Sequence, residues 1–322
     1  MKRVLVTGAS GFVGRASLEP LLSRGFEVHA IGFSRGRTSD VSAHWHHVDL
    51  LDPAAVLTLC KSVRPTHLLH FAWYAKPGAF WQALENFAWV RTSLTLLEAF
   101  HVAGGHRAVF AGTCAEYDWR YGCCVERVTP LSPVSTYGIC KVSLFRMAEA
   151  FAAQAGISVA WGRIFFPFGP HEYPERLTSY VISSLLRGEA ALCTRGDQLR
   201  DFLIVDDVAD AFATLLDSSV VGPINIGSGQ PISISTLLER IAARIGRVDL
   251  LRLGAREKTA GDAPMVLADV RRLRDEVGWC QRYSLDQAID RSIDYWRDTQ
   301  LSSPDHRFSH NINKNKDLTG ES

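Results

Sequence analysis

Tyr137 and Lys141 stand four positions apart in a stretch, Thr136–Ala155, whose apolar spacing predicts a long helix, so both project from one face. A phenol with an ordinary pKa near ~10 is a poor acid or base at neutral pH. An ammonium beside it favours the phenolate and moves that pKa toward the working range, which general acid–base catalysis requires. The same spacing also arises as an ordinary helix-surface pair, so its meaning depends on its surroundings. Thr113 ends the strand predicted over Arg107–Gly112, where its hydroxyl could bond its own backbone; a further role is implied only by the resemblance given below.

A second chemical motif opens the chain. Arg3–Thr7 is a short β-branched run leading into Gly8-Ala9-Ser10-Gly11-Phe12-Val13-Gly14, after which a helical pattern (Ala16, Leu18, Leu21, Leu22) runs to Arg24 and closes at Gly25. A second strand, Glu27–Phe33, completes a β–glycine loop–α–β unit. In such a loop the first glycine permits a tight turn, the second lets a pyrophosphate approach the backbone, and the third allows close helix–strand packing. Dinucleotide binding is the reading this unit favours over a merely structural turn. Pro20 inside the helical run deletes a backbone hydrogen bond and predicts a kink.

The alternation continues with strands at Trp45–Val48, His67–Tyr74, Arg107–Gly112 and Ser158–Ile164, separated by helices at Pro53–Val63, Phe80–Val102 and Thr136–Ala155. Apolar strands between helices predict an α/β fold with a Rossmann-type, doubly wound parallel sheet covered on both faces, with ligands at the carboxyl ends of its strands. Residues 1–166 read as a dinucleotide-binding domain. Beyond Pro167 shorter pieces, with helices at Arg176–Arg187, Asp206–Leu216 and Ser235–Ile245 and a strand at Pro223–Ile226, read as a smaller substrate lobe over 167–300, interleaved with the sheet. Residues 301–322 are polar, aperiodic and expected to be disordered.

Composition narrows the partners. A chain of 322 residues with 47% hydrophobic and 21% charged residues is that of an ordinary globular protein, and a net charge of +1 gives no global field for nucleic acid or an anionic membrane. No apolar run approaches a membrane span, and the N-terminus does not read as a signal peptide. Seven cysteines at irregular spacing predict free thiols and a cytoplasmic setting.

The loop Thr7-Gly8-x-x-Gly11-x-x-Gly14, with the later Tyr137-x-x-x-Lys141, resembles the extended short-chain dehydrogenase/reductases, the NAD-dependent epimerase/dehydratase family that modifies nucleotide sugars; the resemblance spans roughly residues 2–298. It implies that Gly8, Ser10, Gly11, Phe12, Val13 and Gly14 hold the cofactor, with Asp49 and Leu50 at the adenine and Phe71, Ala72 and Trp73 lining the strand end. Thr113, Tyr137 and Lys141 become the catalytic residues, the last two also touching cofactor. A homodimer through the helices near 80–102 and 136–155 is implied as well. An NAD site of this kind ends its second strand with an acid; here that position is Gly32, followed by Ser34, Arg35 and Arg37. Guanidinium groups suit a 2′-phosphate, so NADP(H) is favoured over NAD(H), the other reading being solvated loop charges.

Departures from the family pattern narrow the chemistry. Nucleotide-sugar 4,6-dehydratases place Asp-Glu after the catalytic threonine; here stand Cys114 and Ala115, neither able to move those protons. The Asn that often meets the substrate phosphate is Phe166; Arg200 matches the arginine that grips the nucleotide diphosphate in relatives, Lys258 stands where relatives carry R-R-P-G-D, and Arg176, opening the next predicted helix, is a further substrate-binding candidate. Asp201 is expected to anchor a loop, Asp206 and Asp207 to cap a helix, and Trp279 to pack. No metal is expected: His44, His46 and His47 lack a carboxylate or cysteine to complete a set. The aromatic group Phe80, Trp81, Phe87 and Trp89 reads as core packing more than as a substrate wall. The resulting expectation is an NADPH-dependent reductase of a 4-keto, 6-deoxy nucleotide sugar. The alternatives are a nucleotide-sugar 4-epimerase with tightly held NAD, and a non-catalytic NADP-binding sensor on the same fold.

Overall fold

The computed structural model describes residues 2–32, 42–257 and 261–301. Among them seven strands form one parallel sheet in the spatial order β3 (His44–His46), β2 (Glu27–Ile31), β1 (Arg3–Thr7), β4 (His67–His70), β5 (Arg107–Thr113), β7 (Ser158–Ile164) and β11 (Gly222–Ile226). The order reverses direction between β1 and β4, which marks the switch point where open sheets of this kind receive ligands. One face is covered by α1 (Phe12–Ser23) and α6 (Val205–Asp217), the other by α2 (Pro53–Val63), α3 (Glu85–Val102) and α4 (Thr136–Ala155). Each face has its own apolar core, so central strands such as Val4-Leu5-Val6 feed both, and Ala108-Val109-Phe110 is wholly buried.

A second layer gathers around β10 (Leu199–Ile204), which pairs with β8 (Phe166–Phe168), antiparallel with β12 (Pro231–Ser233), and with β14 (Met265–Ala268); β14 in turn pairs with β6 (Cys123–Cys124). Helices α5 (Leu177–Leu186), α7 (Ile234–Ile245) and α8 (Leu285–Leu301) pack beside it, and β9 (Ala191–Leu192) pairs with β13 (Leu251–Arg252). The chain returns to the large sheet through α6 and the edge strand β11, so the two layers are interleaved.

Local chemistry accounts for the element ends. Asp52 caps α2 by accepting from Ala54 N at 2.9 Å with Pro53 in the first turn, and Arg64 closes it in the left-handed region. Ser135 caps α4 through Gly138 N, and Gly156 ends it at φ +68°. Pro20 stays inside α1, which already begins at Phe12, directly on the glycine loop.

Several boundaries differ from the sequence reading. The run His67–Tyr74 stops as a strand at His70, because Phe71 and Ala72 turn their amides onto Thr7. The helix expected over Phe80–Val102 is two pieces, a tight turn at Phe80–Gln82 and α3, separated where Ala83 is extended. The strands expected at Trp45–Val48 and Glu27–Phe33 are His44–His46 and Glu27–Ile31, Phe33 itself lying outside the described residues. Asp206 and Asp207 do not cap α6, whose cap position is Ile204; they sit in its first turn and hold Arg291, Arg282 and Tyr283 instead. Helix α8 has no counterpart in the sequence reading, although Ala288, Ile289, Ser292, Ile293 and Trp296 carry a helical spacing and are all buried. All seven cysteines are free thiols, and no helix of the described residues is long and apolar enough to cross a membrane.

Gly14 faces the Gly8 carbonyl so closely that a β-carbon there would lie 2.1 Å from its oxygen. Gly14→Ala is therefore expected to lower the unfolding free energy by about 1–3 kcal/mol in urea and to abolish dinucleotide binding measured by fluorescence. A variant of unchanged stability and binding would show that α1 is free to back away from the loop.

Candidate active site

The glycine loop is held by backbone contact. Gly8 adopts φ +67° and a side chain there would strike the Ala72 backbone at 2.8 Å, so the loop and the segment after β4 press together. Gly11 occupies the cap position of α1, so no side chain caps the first-turn amides, the arrangement that suits a bound anion. A buried relay fixes the same region. Ser93 Oγ donates to Trp89 O, so it accepts from His70 Nε2, and His70 Nδ1 accepts from the Thr7 hydroxyl, which itself accepts from Ala72 N. Burial holds His70 neutral by pushing its pKa down to about 3. Neither His70 nor Ser93 stands out in the sequence, since a lone histidine in an apolar strand carries no signal there.

The candidate catalytic residues Thr113, Tyr137 and Lys141 come together where β5 meets α4. Thr113 Oγ1 accepts from Ala115 N at 3.2 Å, and the Glu116 carboxylate accepts from Thr113 N at 2.8 Å, a reciprocal cap that fixes the turn Cys114–Glu116. Bonding to its own backbone therefore does not exclude the functional reading: the hydroxyl proton still has a direction to point, and the Thr113 side chain lies near enough to the Tyr137 phenol to favour its ionised form. Gly138 has no β-carbon because Ala115 O would lie 2.5 Å from it, which lets the start of α4 sit directly on that turn.

Glu116 is the anchor the sequence reading missed. It is fully buried, accepts from Trp161 Nε1 at 2.9 Å and pairs with Arg163 Nε at 2.7 Å. Arg163 Nη1 donates to Tyr117 Oη at 2.9 Å, and Tyr117 donates to Asn225 Oδ1 at 2.8 Å. A β-carbon on Gly112 would lie 2.1 Å from Trp161 Nε1, so the glycine makes room for this network.

Tyr137 is half-buried in an aromatic wall, with ring centroids 5.0 Å from Phe80, 5.9 Å from Trp81 and 6.3 Å from Trp73. This corrects the reading of Phe80 and Trp81 as core: they border the phenol, Trp81 is partly exposed, and Phe87 is exposed on α3. Lys141 is buried; its Nζ donates to Ala111 O at 2.8 Å and sits 3.7 Å from the centre of the Trp73 ring. Trp73 is oriented by its own bond to the buried Asn86. The expected lowering of the phenol pKa is not what the folded chain gives. Burial pushes Tyr137 up, opposed by the Thr113 hydrogen bond and the Arg176 charge. Burial likewise brings Lys141 down to about 7, partly opposed by Glu116.

The remaining expected site residues fall in two groups. Ser10 lies beside Gly32, Asp49 caps its own turn by accepting from Leu51 N, Leu50 is buried, and Phe71 packs on Phe212. A side chain at Gly32 would meet the Trp45 ring at 2.9 Å, which explains why no acid stands at that strand end. On the second layer Arg200 stacks 5.4 Å from the Phe166 ring and pairs with Asp262 at 2.5 Å, Gln198 also reaching Asp262, while Arg176 is exposed at the start of α5. Asp201 anchors its loop as expected, accepting from Ser228, Gly229 and Ala268 amides. Trp279 is buried and donates to Asp210. Ser34, Arg35, Arg37 and Lys258 lie outside the described residues. The statement that no carboxylate completes the histidine group is corrected: Glu27 on the neighbouring strand meets His29 and His44.

Sheet, glycine cradle and Thr–Tyr–Lys cluster together define a dinucleotide-dependent enzyme class of the Rossmann type. Residues 4–227 match the model of the NAD dependent epimerase/dehydratase family, and the chain belongs to that family. UDP-glucuronic acid decarboxylase 1 of Xenopus tropicalis is 27% identical, the match spanning 92% of this chain and 72% of that protein. dTDP-glucose 4,6-dehydratase of Xanthomonas campestris pv. campestris is also 27% identical, over 92% and 93%. The crystal structure of Thermus thermophilus UDP-glucose 4-epimerase with NAD superposes with a TM-score of 0.79 at 26% identity, covering 92% of this chain and 99% of that one.

Lys141 makes stability depend on pH in a definite sense. Between about pH 7 and 10.5 the unfolded chain holds a proton on this amine that the folded chain lacks, so its contribution to stability rises with pH across that window. In dinucleotide-free protein, Lys141→Met should gain on the wild type most near pH 7, and the gain should shrink toward pH 10. A difference that does not change with pH would mean the amine titrates normally.

Proposed function

We propose that the protein reduces a 4-keto, 6-deoxy nucleotide sugar at C4 with NADPH. The observation that carries this reading is the absence, among the described residues of the Thr113 turn, of a carboxylate able to move carbon-bound protons. Cys114 is buried with its thiol pushed up in pKa, Ala115 is inert, and Glu116 is locked between Thr113 N, Trp161 and Arg163. Without such a base, dehydration lacks a partner for the C5 proton, and carbonyl–carbinol interconversion remains open to the site.

Residues 1–166 would hold the dinucleotide, with its pyrophosphate on the amides after Gly11, its adenosine toward Asp49 and Leu50, and its other end near Phe71, Ala72 and Trp73. The loop fits such a group, because glycines at 8, 11 and 14 keep its backbone free of β-carbons that would strike neighbouring backbone, and the helix start carries no side-chain cap. When bound, the dinucleotide supplies the hydride. Tyr137 would give its proton to the C4 oxygen, Thr113 would donate a hydrogen bond to the same oxygen, and Lys141, bonded to Ala111 O and 5.9 Å from the centre of the Tyr137 ring, would hold the ribose. NADP is favoured because the end of β2 presents Gly32 against Trp45 in place of a carboxylate that would repel a 2′-phosphate; Ser34, Arg35 and Arg37 follow in sequence. Residues 167–300 would take the nucleotide sugar, its diphosphate near Arg176, Arg200 and Lys258 and its body beside Phe166, Cys114 and Ala115. Two chains would meet through α3 and α4, where Phe87, Ile139 and Met147 are exposed. The cell compartment that fits seven free thiols is the cytoplasm.

A second reading, 4-epimerisation with retained NAD, is favoured by the likeness to the Thermus thermophilus 4-epimerase. Following absorbance of the reduced nicotinamide with a panel of 4-keto nucleotide sugars separates the two. Stoichiometric NADPH oxidation is expected, with Tyr137→Phe lowering kcat at least a hundredfold. Sugar interconversion without oxidation would replace the reductase by the epimerase. Neither reaction, with dinucleotide still bound, would leave the sensor.

A further inference from the structure

The outer edge of the large sheet carries a group of side chains that the proposed reaction does not use. Glu27 and His29 alternate along β2, and His44 and His46 alternate along β3. The strands are parallel with His29 opposite His44 and Ile31 opposite His46, so all four side chains rise from one face. One donor atom each from Glu27, His29 and His44 lies within 4.8 Å of the others. His29 is the hinge of the group: its Nε2 is 3.0 Å from Glu27 Oε1, its Nδ1 is 2.9 Å from His46 Nε2, and its ring stacks on His44 and on His46.

We propose that Glu27, His29 and His44 bind one divalent late first-row cation of the zinc class. Two neutral imidazoles and a carboxylate are the donors such an ion takes, at about 2.0–2.2 Å from each, with water completing the shell. Glu27 keeps one oxygen for the ion while the other remains on Arg3 Nε at 3.1 Å. A cation on His29 Nε2 leaves Nδ1–H to donate to His46, the second hydrogen bond that orients a metal-bound imidazole. His44 is exposed, so it can turn the remaining distance and the ion can enter from solvent.

The site would tie a three-residue edge strand to its neighbour. That strand also carries Trp45, whose ring faces Gly32 on the opposite face, so the ion would steady the edge beside the proposed adenosine end of the cofactor cleft. This inference stands on its own residues and does not depend on which sugar reaction the enzyme performs.

The test uses full-length, untagged protein stripped with chelator and titrated calorimetrically with zinc, then with cobalt under an absorption spectrometer. One ion per chain is expected, with visible cobalt bands of a nitrogen–oxygen site, no thiolate charge-transfer band, and a rise in Tm on zinc addition. His44→Ala, a change at an exposed position, should weaken zinc at least tenfold and remove the Tm response, and His29→Gln should do the same while circular dichroism reports an intact fold. Absence of saturable binding, undiminished binding in His44→Ala, or thiolate bands that place the ion on cysteines would each overturn the proposal. Those outcomes leave the Tyr137 assay untouched, so the two readings fail separately.

Discussion

Glu116 and Arg163 meet with both side chains at 0% exposure. Taking two charges out of water costs several kcal/mol per ion, and the attraction between them offsets this only if the geometry is good and the remaining polar atoms find partners. Here most do. Glu116 accepts from the Thr113 amide, the Trp161 indole and the guanidinium, and Arg163 reaches Tyr117 and the Glu126 carbonyl. Only Arg163 Nη2 lacks a hydrogen-bond partner, while the guanidinium lies against the Tyr117 and Phe145 rings. What this network obtains is position. The carboxylate holds the backbone of Thr113 at the end of β5, and α4 seats on the same turn through Gly138, so the hydroxyl and the phenol meet because one buried charge pair fixes both supports.

The same pair also settles what the site lacks. Glu116 is the one acid in the turn Cys114–Glu116, and its three donors tie it into the fold. Proton traffic at the reacting carbon's neighbours would need a group in the places occupied by Cys114 and Ala115. That is the ground on which hydride and proton exchange at a single carbon–oxygen bond is proposed here in place of dehydration.

The fold was legible in the sequence because its signals are local. Apolar runs and the glycine loop define β1, α1, α2, α4 and β7 with little help from tertiary structure. Thr113, Tyr137 and Lys141 were legible through spacing and likeness to a family. What was hidden depends on contacts across the chain. Glu116 reads as one more turn acid until Arg163, far along the sequence, is folded against it. Lys141 reads as an ammonium beside a phenol until Ala111 O and the Trp73 face take hold of it. The break at Ala83, which turns Phe80 and Trp81 onto Tyr137, is invisible in a continuous apolar pattern, and Glu27 joins the histidines only through strand register.

A double-mutant cycle on Glu116 and Arg163, read by urea unfolding of the dinucleotide-free protein, addresses the anchoring claim most directly. Arg163→Met alone should lower the unfolding free energy by about 3–5 kcal/mol, because it strands a buried carboxylate, and Glu116→Gln in the same chain should restore a large part of that loss. Additive effects of the two substitutions, or a single variant within about 0.5 kcal/mol of wild type, would contradict the account, since the charges would then be carrying none of the support on which Thr113 and Tyr137 rest.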